Sequence, residues 1–460
     1  MVWDDSPPDP GSARNVAEFV DRLRSLKVWA GNPSFQELHR RSGLASSTLS
    51  DALSPRRAGL PRLETVRGFV RACGATDADR ARWEAAWRSL QGGPVGAATP
   101  HLLPRPAAPF VGRQGMLDQL DAVRREQADR RQPALALLVG GAGTGKTATA
   151  VHWAHRVARH YPDGQLHVEL DGFAGRPAAA THAALARLLR FLGVPPADLP
   201  ADPADRIALY RSLAYPLRLL VVLDDARDAA QVAPLLPAGP DCLTVVTSRS
   251  RLSGLVAREG GHRIRLPALG EREAVALLAA MLGAPRAQRE PAALARVAGH
   301  CGGLPMALRV AAVGLADRPE QHASAYADLL DAAGPLDGLD PHGDPAIDLR
   351  AAFDASYHAL DEPARALLPT VAAAGLAFTA RTVAARAGLP PPEARRRLHA
   401  LAAVHLIDPT GSDGYRMNPL VHAWARERAR ESPHRRVPRP SPPEGRPAPT
   451  SNGCPTAAYA

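Results

Sequence analysis

Lysine is the residue that this chain has least of. Of its 460 residues, 56 are lysine or arginine; only Lys27 and Lys146 are lysine, so the other 54 are arginine. A bias of this kind, together with abundant alanine and proline, is typical of GC-rich genomes, so the counts of these residues say little about function. The net charge of +10 is therefore a weak indication of a nucleic-acid partner. Part of that charge also lies near the C-terminus, at Arg435, Arg436, Arg439 and Arg446.

Cysteine and long apolar runs are also scarce. The four cysteines, Cys73, Cys242, Cys301 and Cys454, are scattered, with no C-x-x-C pair and no histidine at metal-binding spacing. This pattern excludes a disulfide framework and a zinc site and predicts reduced thiols. No apolar run reaches the length of a membrane helix, and no signal-peptide pattern opens the chain. We expect a soluble, cytoplasmic protein without a membrane partner.

The pattern of apolar residues predicts a multidomain protein. Five short apolar runs, at 134–139, 165–170, 218–223, 242–247 and 262–266, alternate with helical stretches, which indicates a parallel sheet covered on both faces. The helical patterns on either side of this α/β core, and the Pro/Gly-rich segments between them, give these expected spans: 1–12 disordered, 13–90 an all-α head, 91–108 a linker, 109–269 the α/β core, 270–330 a small helical domain, 331–345 a linker, 346–431 a second helical unit with a short extended pair, and 432–460 a disordered tail.

One of the two lysines lies in a glycine-rich motif. Residues 140–147 read G-G-A-G-T-G-K-T, which fits the phosphate-binding P-loop G-x-x-x-x-G-K-[ST]. In such a loop backbone N–H groups converge on phosphate oxygens, the lysine places a compact charge beside them, and the hydroxyl of Thr147 ligates Mg²⁺. The predicted nucleotide-binding residues here are Gly140, Gly143, Thr144, Gly145, Lys146, Thr147 and Ala148.

A second motif completes the predicted phosphate site. The apolar run 219–223 ends in Asp224 and Asp225, the Walker B pattern, in which a buried strand delivers a carboxylate to the Mg²⁺ shell. We assign Asp224 to the metal and Asp225 to the orientation or deprotonation of an attacking water. Arg249 follows the next predicted strand, and from there an arginine can reach a γ-phosphate. An ordinary surface arginine is the alternative for this position.

These motifs occur in a characteristic order. Phe110-Val111-Gly112-Arg113, the P-loop, L-D-D, T-S-R and the C-G-G-L-P-M-A of residues 301–307 together resemble the NB-ARC branch of the STAND P-loop ATPases. The resemblance covers residues 109–430. It implies ADP or ATP with Mg²⁺ as ligands, at most slow ATP hydrolysis, self-association in the ATP state, and a winged-helix domain at 346–431.

The same resemblance implies roles for individual residues. Val111 and Arg113 would lie beside the adenine and ribose, Leu304 and Pro305 would cap the adenine, and Arg249 would sense the γ-phosphate. Relatives commonly close the winged helix onto ADP with a Met-His-Asp triplet, but here the matching residues are Met417, Asn418 and Pro419. Asn418 would take the place of the histidine, yet its amide is shorter and cannot become cationic. We therefore expect a looser ADP-bound state than in relatives.

The N-terminal helices carry a second resemblance. Residues 34–50 have an apolar pattern broken by Gly43, with Ser46 or Ser47 at the start of the next helix, and resemble a Cro/repressor-type helix-turn-helix. The residues predicted to contact double-stranded DNA are Arg40, Arg41, Ser46, Ser47, Thr48 and Ser50, with Arg56, Arg57 and Arg62 near phosphates. A helical adaptor of the same topology that binds a protein remains an alternative. Trp83 and Trp87 are assigned to packing.

The sequence thus predicts a nucleotide-controlled switch of the NB-ARC type with a DNA-binding head, a transcriptional regulator. The alternative from another class is a signalling or defence ATPase whose N-terminal helices recruit a protein. A true turnover enzyme ranks below both, because the sequence has no substrate-specific catalytic constellation.

Overall fold

A computed structural model describes residues 7–13, 16–54, 60–91, 99–173, 179–339, 344 and 347–431. The N-terminal unit is helical, as predicted, and packs around one core in which Trp83 meets Phe19 edge-on with ring centroids 5.3 Å apart. Trp87 is also buried and donates from Nε1 to the carbonyl of Pro61 at 2.7 Å. Both tryptophans therefore serve packing. The helices are α1 (Val16–Trp29), α2 (Phe35–Ser42), α3 (Ser46–Ala52), α4 (Leu63–Ala72) and α5 (Asp77–Gln91).

The segment that precedes this unit differs from the expected disorder of residues 1–12. Pro10–Ser12 form a 3-10 turn, and the side chain of Asp9 accepts a hydrogen bond from the backbone of Gly11 at 3.0 Å. Proline fixes φ at the start of the turn and the aspartate satisfies a backbone donor, so a short Pro/Asp-rich stretch becomes ordered. Residues 1–6 lie outside the described residues.

The central unit is a five-stranded parallel sheet with strand order β2-β3-β4-β1-β5. Each of the five predicted apolar runs forms one of its strands, with bounds that shift by up to three residues. Apolar side chains from both faces are buried, as expected for parallel strands covered by helices on each side. The elements are α6 (Gln114–Arg130), β1 (Ala134–Val139), α7 (Lys146–Val157), β2 (Gly164–Glu169), α8 (Ala179–Phe191), α9 (Pro203–Ala214), β3 (Leu219–Ala226), α10 (Ala229–Val232), β4 (Leu243–Ser248), α11 (Ser253–Glu259) and β5 (His262–Arg265).

Part of the expected linker 91–108 belongs to this sheet unit. Gln165, on the edge strand β2, donates to the carbonyl of Pro100 and accepts from the backbone of Leu102, both at 2.8 Å. Edge strands leave backbone groups unpaired, and here the incoming chain satisfies them. Residues 92–98 lie outside the described residues.

The remaining chain is helical and shares one continuous apolar core, from Leu269 to Ala425. A small antiparallel sheet, order β6-β8-β7, lies within its last part. The expected linker 331–345 contains the end of one helix and all of another, in which Leu336 is buried. The elements are α12 (Glu271–Leu282), α13 (Ala284–Arg289), α14 (Pro291–His300), α15 (Pro305–Ala316), α16 (Ala323–Ala333), α17 (Pro335–Gly338), α18 (Leu349–His358), α19 (Glu362–Ala374), β6 (Ala377–Thr379), α20 (Ala380–Ala387), α21 (Pro391–Ala403), β7 (Asp408–Thr410), β8 (Gly414–Arg416) and α22 (Pro419–Glu431). We refer to residues 347–431 as the C-terminal unit.

Two predictions about the whole chain can be compared with the described residues. Cys73, Cys242 and Cys301 are buried free thiols, and Cys454 lies outside the described residues. Among the helices that the structure describes, none combines the length and apolar character needed to cross a membrane. The predicted tail, residues 432–460, also lies outside the described residues.

Candidate functional site: a phosphate-binding loop beside paired aspartates

The P-loop connects the end of β1 to the start of α7. Gly143 and Gly145 have φ values of 73° and 85°, in the left-handed region where a side chain is disfavoured, so the tight loop depends on glycine at these positions. Lys146 is 8% exposed, and its Nζ donates to the carbonyl of Gly141 at 2.8 Å. Burial, followed by the charge of Arg249, lowers the pKa of Lys146 to about 7. Because burial destabilises the charged form of Lys146, an anion bound beside its ammonium group would be stabilising. The glycine-rich loop around it has the form that binds a phosphate chain.

Thr147 and Asp224 lie together at the carboxyl ends of the strands. The Thr147 hydroxyl donates to the two carboxylate oxygens of Asp224 at 2.8 and 3.0 Å. A hydroxyl and a carboxylate in contact are hard oxygen ligands of the kind that Mg²⁺ takes together with phosphate oxygens and water. The two residues predicted to bind the metal are thus adjacent. Among the described residues no larger cluster of His, Cys, Asp or Glu with metal-binding geometry occurs.

Sequence reasoning missed the residue that joins the two aspartates. Thr247, at the end of β4, donates to Asp224 Oδ1 at 2.5 Å and accepts from the backbone N–H of Asp225 at 2.9 Å. The strand order explains this position, because β4 lies between the P-loop strand β1 and the aspartate strand β3. The T-S-R pattern after an apolar run contained the residue, but only the strand order shows its partners.

Asp225 occupies a bulge in β3. The register of β3 against β4 shifts between Leu223 and Ala226, and Asp225 has a φ of 51°. Successive side chains on a strand alternate between its faces, and a bulge changes that alternation. The bulge therefore re-aims Asp225, whose Oδ1 lies 3.5 Å from Arg249 Nε.

Arg249 connects the sheet to the C-terminal unit. Besides Asp225, its guanidinium lies 5.3 Å from the ring centroid of Phe173, and its Nη1 donates to the carbonyl of Ala352 in α18 at 2.7 Å. The residue is thus neither a free surface arginine nor one confined to the sheet. It contacts the carboxylate beside the P-loop and a helix of another unit at once.

A cleft of about 340 Å³ opens on the other side of the P-loop. Six of the predicted nucleotide-binding residues line it: Val111, Arg113, Thr144, Gly145, Ala148 and Pro305. The other lining residues were not predicted from the sequence, and most of them are apolar: Pro109, Phe110, Thr149, Leu269, Leu277 and Arg309.

Arg113 is buried and holds two sides of this cleft together. Its guanidinium donates to the carbonyls of Pro267 and Thr144 at 2.7 and 2.8 Å, and its backbone N–H donates to Glu273 at 3.2 Å. Burial lowers the pKa of Arg113, and the nearby Glu273 opposes that shift. Its side chain therefore braces the P-loop, while its backbone N–H is held by Glu273.

Leu304 and Pro305 begin α15 against the P-loop. Leu304 is buried, and the backbone N–H of Met306 donates to the carbonyl of Gly143 at 3.3 Å. Gly140, at the opposite end of the loop, donates to the carbonyl of Ser248 at 3.3 Å. The loop is therefore held from the sheet and from the helical segment that follows it.

Asn418 lies near the P-loop, but its amide is engaged by protein. Its Nδ2 donates to the carbonyl of Gly302 at 2.8 Å, and its Oδ1 accepts from the backbone of Leu420 at 3.0 Å. It lines a cavity together with Gly141 and Thr144. Asn418 thus joins the C-terminal unit to the loop before Leu304. His422, four residues later in the chain, contacts the carbonyl of Ala372 at 2.9 Å.

His405 is a further residue that the sequence did not single out. It has a φ of 56°, and a side-chain carbon added to Gly141 would lie 3.3 Å from its carbonyl oxygen. Its buried Nε2 has no hydrogen-bond partner among the described residues. The turn after α21 therefore places an imidazole next to the P-loop.

The predicted DNA contacts lie in the N-terminal unit. Arg40, Ser47, Thr48 and Ser50 are exposed around the turn at Gly43 and along α3. Arg41 forms an ion pair with Glu37 and also reaches the carbonyl of Ala72. Ser46 is half-buried and donates to the carbonyl of Phe35 at 3.3 Å, and neither it nor Ser47 caps α3, whose N-cap is Ala45 with no side-chain hydrogen bond. Arg62 is exposed, whereas Arg56 and Arg57 lie outside the described residues.

Comparison with known proteins gives similarity to two regulators. The chain is 38% identical over 333 residues to the regulatory protein AfsR of Streptomyces coelicolor, a match that covers 71% of this chain and 33% of that protein. It is 38% identical over 345 residues to AfsR of Streptomyces griseus, covering 73% and 34% respectively. The chain therefore spans about a third of the length of these regulators. No family model matches it.

A match that covers 71% of the chain must include the middle of the chain, where the P-loop and Asp224 lie. The similarity thus supports a regulator built around a P-loop unit. Among solved structures, the Walker-type ATPase PABY2304 of Pyrococcus abyssi matches 70% of the chain with a TM-score of 0.45 and 13% identity, covering 98% of that chain. The RuvB Holliday junction branch migration motor of Thermotoga maritima matches 70% with a TM-score of 0.30 and 15% identity, covering 97% of that chain.

Proposed function

We propose that the chain is an ADP/ATP-binding switch of the NB-ARC type that controls a DNA-binding head and acts as a transcriptional regulator in the cytoplasm. The observation that carries the proposal is the position of Arg249. One guanidinium contacts Asp225 beside the phosphate loop and Ala352 in the C-terminal unit. A side chain placed in this way can transmit a change at the nucleotide to another part of the chain.

The nucleotide would be held by residues already described. Lys146 and the backbone of residues 140–147 would bind the phosphates, and the cleft between Val111 and Pro305 would hold the adenosine. Thr147 and Asp224 would hold Mg²⁺, which supplies charge neutralisation for the phosphates. To receive a phosphate, Lys146 would exchange the carbonyl of Gly141 for a phosphate oxygen.

The switch would operate through competition for Arg249. A γ-phosphate is an anion that attracts the guanidinium more strongly than a neutral backbone carbonyl does. ATP would therefore draw Arg249 away from Ala352 and weaken the docking of the C-terminal unit, whereas ADP would leave the contact in place. A ligand shifts such an equilibrium only by its difference in affinity for the two states. The released form would be the one that self-associates.

The C-terminal unit would be the winged-helix domain, and the helical segment 270–330 the domain that caps the nucleotide. Asn418 would strengthen the closed form indirectly, through Gly302, rather than by a charged contact with ADP. This supports a looser closed state than a histidine would give. Asp225, held by Arg249, would support only slow hydrolysis.

The head would bind duplex DNA through α3 and the preceding turn. Exposed Ser47, Thr48 and Ser50 lie on one short helix, with Arg40 nearby for phosphate contact. The similarity to AfsR, named as a regulatory protein, supports transcriptional regulation. The protein-binding alternative is favoured by one observation, the ion pair of Arg41 with Glu37, which reduces the positive charge available to DNA.

The test is the nucleotide carried by the purified full-length chain, released with acid and identified by chromatography. We expect an adenine nucleotide in the wild type and none in Lys146→Ala after gel filtration. The matched control is Lys27→Ala, which changes the only other lysine. Full occupancy in Lys146→Ala, or no adenine nucleotide in the wild type even after incubation with ADP and Mg²⁺, would overturn the proposal.

A further inference from the structure

A further cavity, which shares no lining residue with the adenosine cleft, lies between the sheet and the C-terminal unit. It comprises about 510 Å³ of open space and is lined by Val139, Arg251, Arg263, Arg265, His405 and Pro409. Three of its six lining residues are arginines, and two residues, Arg265 and His405, also line the cavity beside Asn418 and the P-loop. We call it the arginine cavity.

The sheet explains why these arginines converge. Arg263 and Arg265 are two residues apart on β5, so their side chains share one face, while Ile264 between them is buried on the other. Arg265 pairs in register with Val139 at the end of β1. Arg251 follows β4 on the far side of β1 and reaches the same space. His405 and Pro409 close it from the C-terminal unit.

The charges in the arginine cavity do not balance. Arg265 forms an ion pair with Asp408, whereas Arg263 donates to the neutral hydroxyl of Ser253 at 3.1 Å. Burial, and then the like charges of Arg263 and Arg265, lower the pKa of Arg251. In the part of the chain that the structure describes, the carboxylate of Asp408 is thus set against three guanidinium groups, whose mutual repulsion opposes the fold.

The lining also contains a polar atom that needs a partner. The buried Nε2 of His405 has no hydrogen-bond partner among the described residues. Burial, followed by the charges of Lys146, Arg265, Arg251 and Arg263, lowers the pKa of His405 to about 3. The imidazole is therefore neutral near pH 7, and its Nε2 can donate a hydrogen bond as N–H.

We propose that the arginine cavity is a binding site for a small phosphate-type oxyanion, either inorganic phosphate or the phosphate group of a small metabolite. Guanidinium groups match tetrahedral oxyanions because their parallel N–H donors bind two oxygens at once. Such an anion would offset the repulsion between the arginines and accept from His405. It would also join β5 and the β4 end to the C-terminal unit, and so stabilise its docking.

The experiment uses the full chain with ADP and Mg²⁺ in excess, so that the P-loop is filled. Inorganic phosphate and glycerol 3-phosphate are titrated at constant ionic strength against sodium chloride, and binding is followed by calorimetry and by Tm. We expect one site, a Tm that rises with phosphate, and a tighter response to the probe that represents the natural source. A response no larger than that to chloride would overturn the proposal.

Variants localise the site. Arg251→Gln should have a higher Tm than the wild type without phosphate, because repulsion is removed, and should bind phosphate at least about tenfold more weakly. His405→Gln, a second variant, should also weaken binding. Arg258→Gln is the matched control, since Arg258 lies on α11, does not line the arginine cavity, and donates to the carbonyl of Gly254 in its own helix at 3.4 Å. Undiminished binding in both Arg251→Gln and His405→Gln would contradict the assignment.

The titration is repeated in Lys146→Ala without nucleotide. Phosphate should still bind there, because the arginine cavity does not include the P-loop lysine. Loss of nucleotide binding with retained phosphate binding would thus separate this proposal from the proposed function. Loss of phosphate binding in Lys146→Ala alone would place the anion in the P-loop and overturn the inference.

Discussion

Arg249 donates a 2.7 Å hydrogen bond to the backbone carbonyl of Ala352, a residue 103 positions later in the chain. The same guanidinium lies 3.5 Å from the carboxylate of Asp225, next to the predicted Mg²⁺ ligand Asp224. The contact between Arg249 and Ala352 is therefore a direct route by which the phosphate site can act on the C-terminal unit.

The first prediction concerns Arg249→Ala. Loss of a hydrogen bond from a charged donor costs about 1.5–3 kcal/mol, so ADP should dissociate about tenfold or more faster. The Kd values for ADP and for an ATP analogue should become similar. Stopped-flow release of a fluorescent ADP analogue and the ratio of the Kd values for ADP and an ATP analogue measure this. Arg258→Gln serves as the control. Unchanged release in Arg249→Ala would show that the contact does not contribute to nucleotide retention.

A second prediction concerns Thr247→Val, which keeps the shape of the side chain and removes its hydroxyl. Asp224 loses a donor and the N–H of Asp225 loses its acceptor, so the free energy of unfolding should fall by about 1–3 kcal/mol. The Mg²⁺ concentration needed for ATP binding should rise about tenfold. Thr244→Val, on the same buried strand, is the control. If Thr247→Val and Thr244→Val need the same Mg²⁺ concentration for ATP binding, Thr247 does not contribute to the site.

The sequence predicted the elements of this site better than their connections. The P-loop, the aspartate strand and all five parallel strands were evident from local pattern, because glycine spacing and apolar runs are local properties. Thr247 and His405 were not, since their partners lie on other strands or in another unit. The pairing of residues 100–102 with β2 was likewise missed, because the unpaired edge of β2 is not visible in the composition of that segment.

The third prediction is a pH dependence. The folded-state pKa of His405, about 3, is below its unfolded value, so the unfolded chain binds the extra proton between pH 6.5 and pH 3. The contribution of neutral His405 to the free energy of unfolding is fully present above about pH 6.5. It decreases as the pH falls, by up to about 2 kcal/mol at pH 5. His405→Gln should therefore lose less stability than the wild type between pH 7 and pH 5. Chemical unfolding at each pH measures this.

The control for this titration is His399→Gln, an exposed histidine on α21. This variant should lose as much stability between pH 7 and pH 5 as the wild type does. An acid dependence in His405→Gln equal to that of His399→Gln would contradict the buried, neutral state of His405.

The fourth prediction concerns the head. The full chain should bind duplex DNA with an affinity that falls steeply as salt rises, and Arg40→Gln should reduce the salt slope by about one unit. Ser46→Ala should have little effect, because the Ser46 hydroxyl already donates to Phe35. Fluorescence anisotropy at several salt concentrations measures both. The control is Arg130→Gln, an exposed arginine on α6. If the chain does not bind duplex DNA at low salt, the protein-binding adaptor replaces the DNA-binding head as the account of this unit.

The most direct test of the switch is hydrogen exchange in α18, which carries Ala352. Exchange of the peptide over residues 349–358 is compared in the full chain saturated with ADP and Mg²⁺ and with a non-hydrolysable ATP analogue and Mg²⁺. We predict faster exchange with the ATP analogue, and fast exchange with both nucleotides in Arg249→Ala. Equal and slow exchange in the wild type, with both nucleotides shown to be bound, would contradict a switch that acts through Arg249.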